Sequence, residues 1–187
     1  MRKLVVQEWL SVDGFAADEN GSTDFLGPSE DHLESDQEML ANMKFFDLIL
    51  LGANTYSMFV EFWPTEQARN EIMADWINET PKMVFSNSLK NTSWGKWDNA
   101  TQQKGDAIEA IKKLKQQKGK EMILWGSLSL ARSLLDADVV DEIRIGNVPI
   151  ILGKGIRLFG ESDQIKLQTT ERKTYDNGIT QINYTRK

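Results

Sequence analysis

The sequence contains no cysteine and only one histidine, His32, and each scarcity excludes a class of chemistry. Without cysteine there can be no disulfide framework, thiol nucleophile, cysteine-ligated zinc or iron–sulfur cluster. A single histidine also rules out the zinc-protease helix and any cage of several histidines. We therefore expect no metal site and a fold that its hydrophobic core alone can stabilise.

An excess of basic residues and a long apolar run are also missing. The 187 residues carry 28 acidic and 22 basic side chains, for a formal net charge of −6, whereas nucleic-acid-binding domains usually carry a basic excess. The apolar run in the opening MRKLVVQEWLSVDG is too short for a signal peptide or a membrane span. We expect a cytoplasmic protein that binds neither nucleic acid nor membrane. Because no repeat and no Pro/Ser-rich linker divides the chain, one domain over residues 1–187 is predicted.

Apolar runs and amphipathic segments alternate along the chain. Short apolar runs predict strands that are covered on both faces, and apolar residues three or four apart predict helices. This alternation is typical of an α/β fold with a mostly parallel sheet. Asn177-Gly178, between two polar strands, predicts an antiparallel C-terminal hairpin. The predicted strands are 4–10, 47–51, 82–85, 121–125, 142–152 (interrupted by Pro149), 165–174 and 179–185, and the predicted helices are 29–46, 105–118 and 127–135.

Three of the predicted apolar strands end in small or polar residues. They run into 52–55 (GANT), 86–88 (SNS) and 126–128 (GSL). In an open α/β sheet, ligands bind beyond the carboxyl ends of the strands, and helices that begin there direct free N–H groups at an anion. The hydroxyls of Thr55 and Ser127 could add hydrogen bonds to phosphate. We predict that the three junctions converge on a pyrophosphate-bearing ligand, although each also suits ordinary helix capping.

Neither Gly-x-Gly-x-x-Gly after the first strand nor a phosphate-binding Gly-x-x-x-x-Gly-Lys-Ser/Thr loop is present. Several other motifs occur in an order that resembles the dihydrofolate reductase-like superfamily. Within it, the chain is most similar to the C-terminal reductase domain of the riboflavin-biosynthesis deaminase–reductase and its stand-alone bacterial relatives. The motifs are SVDGF (11–15), LLGANTY (50–56), FWP (62–64), VFSNSL (84–89), LWGSLSLARSLL (124–135), VDE (140–142) and PIILGKGIRLF (149–159).

The resemblance implies a three-layer α/β/α fold with a mixed sheet, a homodimer and a reduced nicotinamide dinucleotide, usually NADPH. It also implies hydride transfer to a small heterocyclic substrate, which in this branch is 5-amino-6-(5-phosphoribosylamino)uracil, whose ribosylamino group is opened to a ribitylamino group. Two sets of residues would face the pyrophosphate, with Trp125 beside them in the pocket wall, and Ser86 and Asn87 would lie near the adenosine ribose. The pyrophosphate sets are Gly52, Ala53, Asn54, Thr55 and Tyr56, and Gly126, Ser127 and Leu128.

Two positions depart from the family pattern. Many relatives carry arginine or lysine after the first glycine, where this chain has Ala53-Asn54, and some carry arginine at the position of Asn87. A charge-assisted hydrogen bond contributes about 1.5–3 kcal/mol. The sequence therefore leaves NADH possible beside NADPH.

Two carboxylates are candidate catalytic residues. Asp13 follows the first strand and could hydrogen-bond a ring N–H or hold a proton, although Asp-Gly is also a turn sequence. Glu8 lies inside an apolar strand, where a carboxylate needs either a partner or a raised pKa, and a raised pKa suits a proton donor. Lys154 and Arg157 could meet a substrate phosphate or be ordinary surface charges.

Three other functions stay open. One is a nucleotide- or pterin-binding protein without turnover, and another is an oligomeric scaffold in which the junctions are helix caps only. The third is dihydrofolate reduction, for which Asp31, Glu34 or Glu38 would supply the carboxylate against the pterin ring.

Overall fold

The computed structural model describes residues 1–160 and 164–187. These residues form ten strands and five α-helices, and none of the helices is long and apolar enough to cross a membrane. The strands are β1 (Leu4–Ser11), β2 (Phe15–Ala17), β3 (Phe46–Gly52), β4 (Lys82–Phe85), β5 (Ala100–Gln103), β6 (Glu121–Trp125), β7 (Glu142–Val148), β8 (Ile156–Arg157), β9 (Leu167–Thr174) and β10 (Thr180–Arg186). The helices are α1 (Leu33–Asn42), α2 (Ala53–Phe62), α3 (Ala74–Glu79), α4 (Ala107–Gln116) and α5 (Leu128–Asp136).

Eight of the strands form one sheet in the order β5-β4-β3-β6-β1-β7-β10-β9. The strands from β5 to β7 in this order are mutually parallel, and β10 pairs antiparallel with both β7 and β9. The mixed, mostly parallel sheet with an antiparallel C-terminal hairpin is confirmed. Gly178 adopts a φ of +83° in the hairpin turn, a conformation that glycine takes without strain.

Helices cover both faces of the sheet. On one face, α4 and α5 pack Ile111 and Leu134 against Val6 of β1. On the other face, residues of α1, α2 and α3 pack against Val5 of β1 and Ile49 of β3. Because consecutive strand residues point to opposite faces, a strand buried on both faces must be continuously apolar. This accounts for the short apolar runs of β1, β3 and β6 and confirms the three-layer arrangement.

Several elements differ from their predicted bounds. The predicted helix over 29–46 is divided into α1 and two short 3₁₀ turns, Ser29–His32 and Met43–Phe45. The predicted strand over 142–152 ends at Val148, because Pro149 has no N–H for the ladder. Strands β2, β5 and β8 and the short helix α3 have no counterpart in the predicted elements.

Candidate functional site

The carboxyl ends of β4, β3 and β6 lie side by side at one edge of the sheet, which we call the C-terminal edge. These strands are parallel neighbours, and Gly52 at the end of β3 lies opposite Phe85 at the end of β4. The segments 52–55, 86–88 and 126–128, which follow these strands, are therefore brought to the same edge. Residues 52–55 and 126–128 also contact each other directly, and we call these two segments the cradle.

Reciprocal hydrogen bonds lock the two segments of the cradle together. The Gly52 N–H donates to Ser127 Oγ, and the Ser127 N–H donates to Thr55 Oγ1, both at 2.7 Å. Gly126 and Ser127 both have left-handed backbone conformations, with φ of +56° and +57°. A Cβ at position 126 would lie only 2.9 Å from the Thr55 side chain, so this contact requires glycine. The hydroxyl oxygens of Thr55 and Ser127 thus accept the hydrogen bonds that hold the cradle together.

The groups that the cradle offers to a ligand are backbone N–H groups. Helix α2 begins at Ala53, and helix α5 begins at Leu128. Neither helix has a side chain that caps its first turn, so the first-turn N–H groups and the positive ends of two helix dipoles lie at the C-terminal edge. This arrangement can bind an anion such as a pyrophosphate.

Ser86 and Asn87 are occupied in shaping the loop after β4. Ser86 Oγ accepts hydrogen bonds from the N–H groups of Ser88 and Leu89 at 3.2 and 3.1 Å. Asn87 Oδ1 accepts a hydrogen bond from the Gly105 N–H at 2.8 Å. The two residues lie on the β4 side of the cradle, where their predicted contact with an adenosine ribose stays a prediction.

Trp125 and Tyr56 point away from the cradle into the layer of α1, α2 and α3. The Tyr56 hydroxyl donates to the Ser93 carbonyl at 2.6 Å. The Trp125 ring packs edge-on against Trp76, with 5.7 Å between the centroids. Trp125 Nε1 is buried and has no hydrogen-bond partner in the described part of the chain, so it is an available donor on this face.

Glu8 is buried in the opposite layer. Its side chain is on the face of β1 that also carries Val6 and Leu10, and the residue is 5% exposed. Burial raises the pKa of the Glu8 carboxyl to about 8, and Oε1 finds no hydrogen-bond partner within residues 1–160 and 164–187. The sequence predicted a partner or a raised pKa here, and the structure shows the raised pKa.

The Asp13 carboxylate joins the end of β1 to the segment after β7. It accepts hydrogen bonds from the Ser11 hydroxyl at 2.7 Å and from the N–H groups of Leu152 and Gly153 at 3.1 and 2.7 Å. The Ser11 hydrogen bond, followed by those from Gly153 and Leu152, lowers the pKa of Asp13. An ionised Asp13 suits an acceptor for a ring N–H better than a proton donor, and its predicted catalytic role stays a prediction.

Gln7 was not among the predicted site residues. Its position as a polar residue inside an apolar strand could have indicated it as a candidate. It lies opposite Trp125 in the register of β1 and β6, and its Nε2 donates to Met39 Sδ of α1 at 3.2 Å. Its Oε1 is buried without a partner among the described residues. Gln7 Oε1 and Trp125 Nε1 therefore place an acceptor and a donor on one face of adjacent strands.

Asp36 is a second residue that the sequence analysis missed. It lies one turn before Met39 on the same face of α1. Because α1 leads through a short turn into β3, its N-terminal half lies toward the C-terminal edge. Burial raises the pKa of the Asp36 carboxyl to about 6, with Glu71 adding to this effect and His32 opposing it.

The carboxylates predicted for pterin binding have other partners. Glu38 pairs with Lys173, and Glu34 accepts a hydrogen bond from the Asp176 N–H at 3.0 Å. Both therefore face the C-terminal hairpin, and Asp31 is exposed. The predicted phosphate ligands are also engaged, since Lys154 pairs with Glu19 and Arg157 donates to the Asp13 carbonyl at 2.9 Å.

The sheet order and the helix layers define a dihydrofolate reductase-like fold. Dihydrofolate reductase of Enterococcus faecalis, in a structure with NADP(H), superposes with a TM-score of 0.65 over 98% of this chain and 96% of that one. At 12% identity, this likeness establishes the fold alone.

The chain belongs to the RibD C-terminal domain family, whose model matches residues 2–181. A Shewanella sp. PV-4 structure described as a riboflavin biosynthesis protein has a TM-score of 0.79 and 27% identity, covering 99% of both chains. The uncharacterised protein YyaP of Bacillus subtilis is 26% identical, over 98% of this chain and 94% of YyaP. A deaminase/5-amino-6-(5-phosphoribosylamino)uracil reductase of Thermotoga maritima shares the fold, with a TM-score of 0.72 and 14% identity, all of this chain covering 57% of that protein.

Proposed function

We propose that this protein is an NAD(P)H-dependent reductase that transfers a hydride to a small heterocyclic substrate of the 5-amino-6-(5-phosphoribosylamino)uracil type. The observation that carries the proposal is the cradle, in which two uncapped helix N-termini are locked together at the ligand-binding edge of the sheet. Membership of the RibD C-terminal domain family supports the same reaction.

The residues of the cradle fit a dinucleotide pyrophosphate. Gly52 and Gly126 let the two segments approach each other closely, and the first-turn N–H groups after them can donate to phosphate oxygens. Ser86 and Asn87, on the β4 side, would then receive the adenosine half, and the other half would extend toward β1. When bound there, the reduced nicotinamide supplies the hydride, while the protein positions it against the substrate and excludes water.

The heterocycle is proposed to bind on the face of α1, beside Gln7 and Trp125. The acceptor Gln7 Oε1 and the donor Trp125 Nε1 complement an adjacent N–H and C=O, as a uracil ring offers. A buried polar group without a partner costs about 1–3 kcal/mol, so a ligand that satisfies both atoms gains affinity. Asp36 lies on the same side, and burial raises its pKa to about 6, which suits a group that supplies the proton accompanying hydride transfer.

Cofactor binding can be tested by titrating NADPH and NADH while the tryptophan emission is recorded. We expect NADPH to bind, and NADH to bind with an affinity equal to or lower than that of NADPH, since Ala53-Asn54 and Asn87 lack the charged contacts of many relatives. Thr55→Val leaves the Ser127 N–H without its acceptor, so we expect NADPH affinity to fall about fivefold to a hundredfold. Thr169→Val, at an exposed position of β9, is the matched control. Failure of both dinucleotides to bind at millimolar concentration would refute the proposal, and binding without turnover of any substrate would indicate a binding protein.

Reduction of a dihydropterin is a second candidate, which Asp36 favours. A half-buried carboxyl with a pKa near 6 can both hydrogen-bond the amino-pyrimidine edge of a pterin and donate a proton. Parallel assays with the phosphoribosylamino-uracil and with dihydrofolate, at one NADPH concentration, separate the two candidates. Turnover of dihydrofolate alone would assign the protein to pterin reduction.

A further inference from the structure

Glu8 lies where two central strands of the sheet separate. The pairing of β1 with β6 runs from Leu4 opposite Met122 to Gln7 opposite Trp125 and ends there. Beyond this point β1 continues to Ser11 and is paired with β7 alone. Glu8 on β1 and Gly126 after β6 are therefore the first residues past the last pair, and they flank the opening between the strands beside the cradle.

The Glu8 side chain is in an apolar layer. Val6, Leu10, Leu124, Ala131 and Ile145 belong to the cluster on this face. Burial keeps the Glu8 carboxyl largely protonated at neutral pH, and a protonated carboxyl has one O–H donor and one C=O acceptor. Oε1 is nevertheless unpartnered in the described part of the protein.

The charged groups around this layer are engaged with other partners. Beyond the end of β1, Asp13 binds Ser11, Leu152 and Gly153. On α5, Arg132 donates to the Arg157 carbonyl, and on α4, Lys115 pairs with Asp141 at 2.5 Å. The guanidinium of Arg157 donates to the Asp13 carbonyl and stacks on Phe15. None of these groups forms an ion pair with Glu8, and burial alone shifts its pKa.

The proposed cofactor orientation brings the nicotinamide to this opening. If the pyrophosphate lies at the cradle and the adenosine half lies toward β4, the other half extends past β6 to its opposite neighbour, β1. Adjacent strands are about 4.8 Å apart, a distance that a ribosyl-nicotinamide spans. This step rests on the proposed function.

We propose that Glu8 recognises the carboxamide of the nicotinamide, with its carboxyl group donating to the carboxamide oxygen and accepting from the carboxamide N–H. The two groups are complementary in donors and acceptors. An ionised carboxylate has no donor and repels the carboxamide oxygen. Glu8 is thus a specificity residue for the nicotinamide end of the cofactor, and it satisfies there the polar atom that the apolar layer leaves unpaired.

The proposal is tested by measuring the Kd of NADPH for the wild type, Glu8→Gln and Glu8→Met by tryptophan fluorescence. The side-chain amide of Glu8→Gln can also pair with a carboxamide, so the Kd of this variant should stay within about threefold of the wild type. Glu8→Met loses both hydrogen bonds, so its Kd should rise about tenfold to a hundredfold. The compound 2′-phospho-ADP-ribose, which is the cofactor without its nicotinamide ring, should bind all three proteins equally. Glu109→Met, on the exposed surface of α4, controls for loss of a surface charge.

The pH dependence of binding gives a second readout. With a Glu8 pKa of about 8, the fraction of wild-type protein whose Glu8 is protonated falls above that pH. The Kd of NADPH at pH 9 should therefore be about elevenfold higher than its value well below pH 8. The Kd of Glu8→Gln should not show this rise. The 3-acetylpyridine analogue of NADPH, which lacks the carboxamide N–H, should bind the wild type about threefold to tenfold more weakly than NADPH does.

The outcomes separate the two proposals. The role of Glu8 would be overturned, and the reductase proposal left intact, if the wild-type Kd of NADPH did not change with pH and equalled the Kd of the acetylpyridine analogue. This reading needs only the wild type and Glu8→Gln, so it holds even if Glu8→Met fails to fold. If neither NADPH nor 2′-phospho-ADP-ribose binds the wild type, the proposed function fails first.

Discussion

Lys82 is a buried lysine whose removal should change how stability depends on pH. The side chain at the start of β4 is 1% exposed. Its Nζ donates to the Asn78 carbonyl at 2.7 Å and lies 4.4 Å from the ring centroid of Trp94. Burial lowers the pKa of Lys82 from 10.5 to about 7, and no carboxylate forms a salt bridge with it among the described residues.

The size and sign of the effect follow from proton linkage. Between pH 7 and 10.5 the unfolded chain binds the Lys82 proton and the folded chain largely does not, so the free energy of unfolding rises with pH in this window. At about 1.36 kcal/mol per pH unit, the whole window corresponds to about 4 to 5 kcal/mol. Between pH 8 and 9.5 the expected gain from this lysine is about 2 kcal/mol.

Urea denaturation of the wild type and Lys82→Met, followed by tryptophan fluorescence at pH 8 and 9.5, measures this gain. We expect the free energy of unfolding of the wild type to rise relative to that of Lys82→Met by about 2 kcal/mol over this interval. Lys113→Met, an exposed position of α4, should follow the wild type. Parallel pH profiles for the wild type and Lys82→Met would refute the assignment of a depressed pKa to Lys82.

Two further predictions concern the acids beside the C-terminal edge. If Asp36 donates the proton, Asp36→Asn should lower kcat by about a hundredfold or more and leave the Kd of NADPH unchanged; an unchanged kcat and pH profile would contradict this role. Asp13→Asn removes one of the two carboxylate oxygens that accept from the backbone N–H groups of Leu152 and Gly153. These two amides should exchange hydrogen faster than in the wild type, while the amides of β3 should exchange at the same rate. Equal protection of Leu152 and Gly153 in both proteins would show that the carboxylate does not hold the segment after β7.

The core of the fold could be predicted from the sequence because its strands are buried on both faces. Lys82–Phe85 and Glu121–Trp125 were predicted with the bounds that the structure shows. Strand β5 was missed because Ala100–Gln103 is a short, mostly polar edge strand, which has neither an apolar run nor an alternating pattern. The order of the strands follows from long-range pairing, such as the insertion of β6 between β1 and β3, and no local pattern encodes it.

The candidate site was predictable in position but not in the roles of its side chains. The sequence indicated Thr55 and Ser127 as phosphate ligands, which stays a prediction. It did not indicate that their hydroxyl oxygens accept hydrogen bonds from residues 72 and 75 positions away in the chain. Asp36 was missed because acids are dense along α1, and only the packed helix shows that Glu34 and Glu38 face Lys173. The predicted homodimer, cytoplasmic location and cofactor stay predictions.

Lys82 and Glu8 are two buried titratable groups whose surroundings indicate different uses. Lys82 has partners within the fold, since a carbonyl and an indole ring surround its ammonium group, and these contacts fix α3 and the Trp94 loop to β4. Glu8 changes stability with pH in the opposite direction. Between pH 4.5 and about 8 the unfolded chain has released the Glu8 proton and the folded chain keeps it, so the free energy of unfolding falls as the pH rises through this window. The Glu8 carboxyl has an oxygen that nothing in the described chain satisfies, and its strand opens beside the cradle. The proposed contact with the nicotinamide carboxamide would give this oxygen the partner that the fold does not supply.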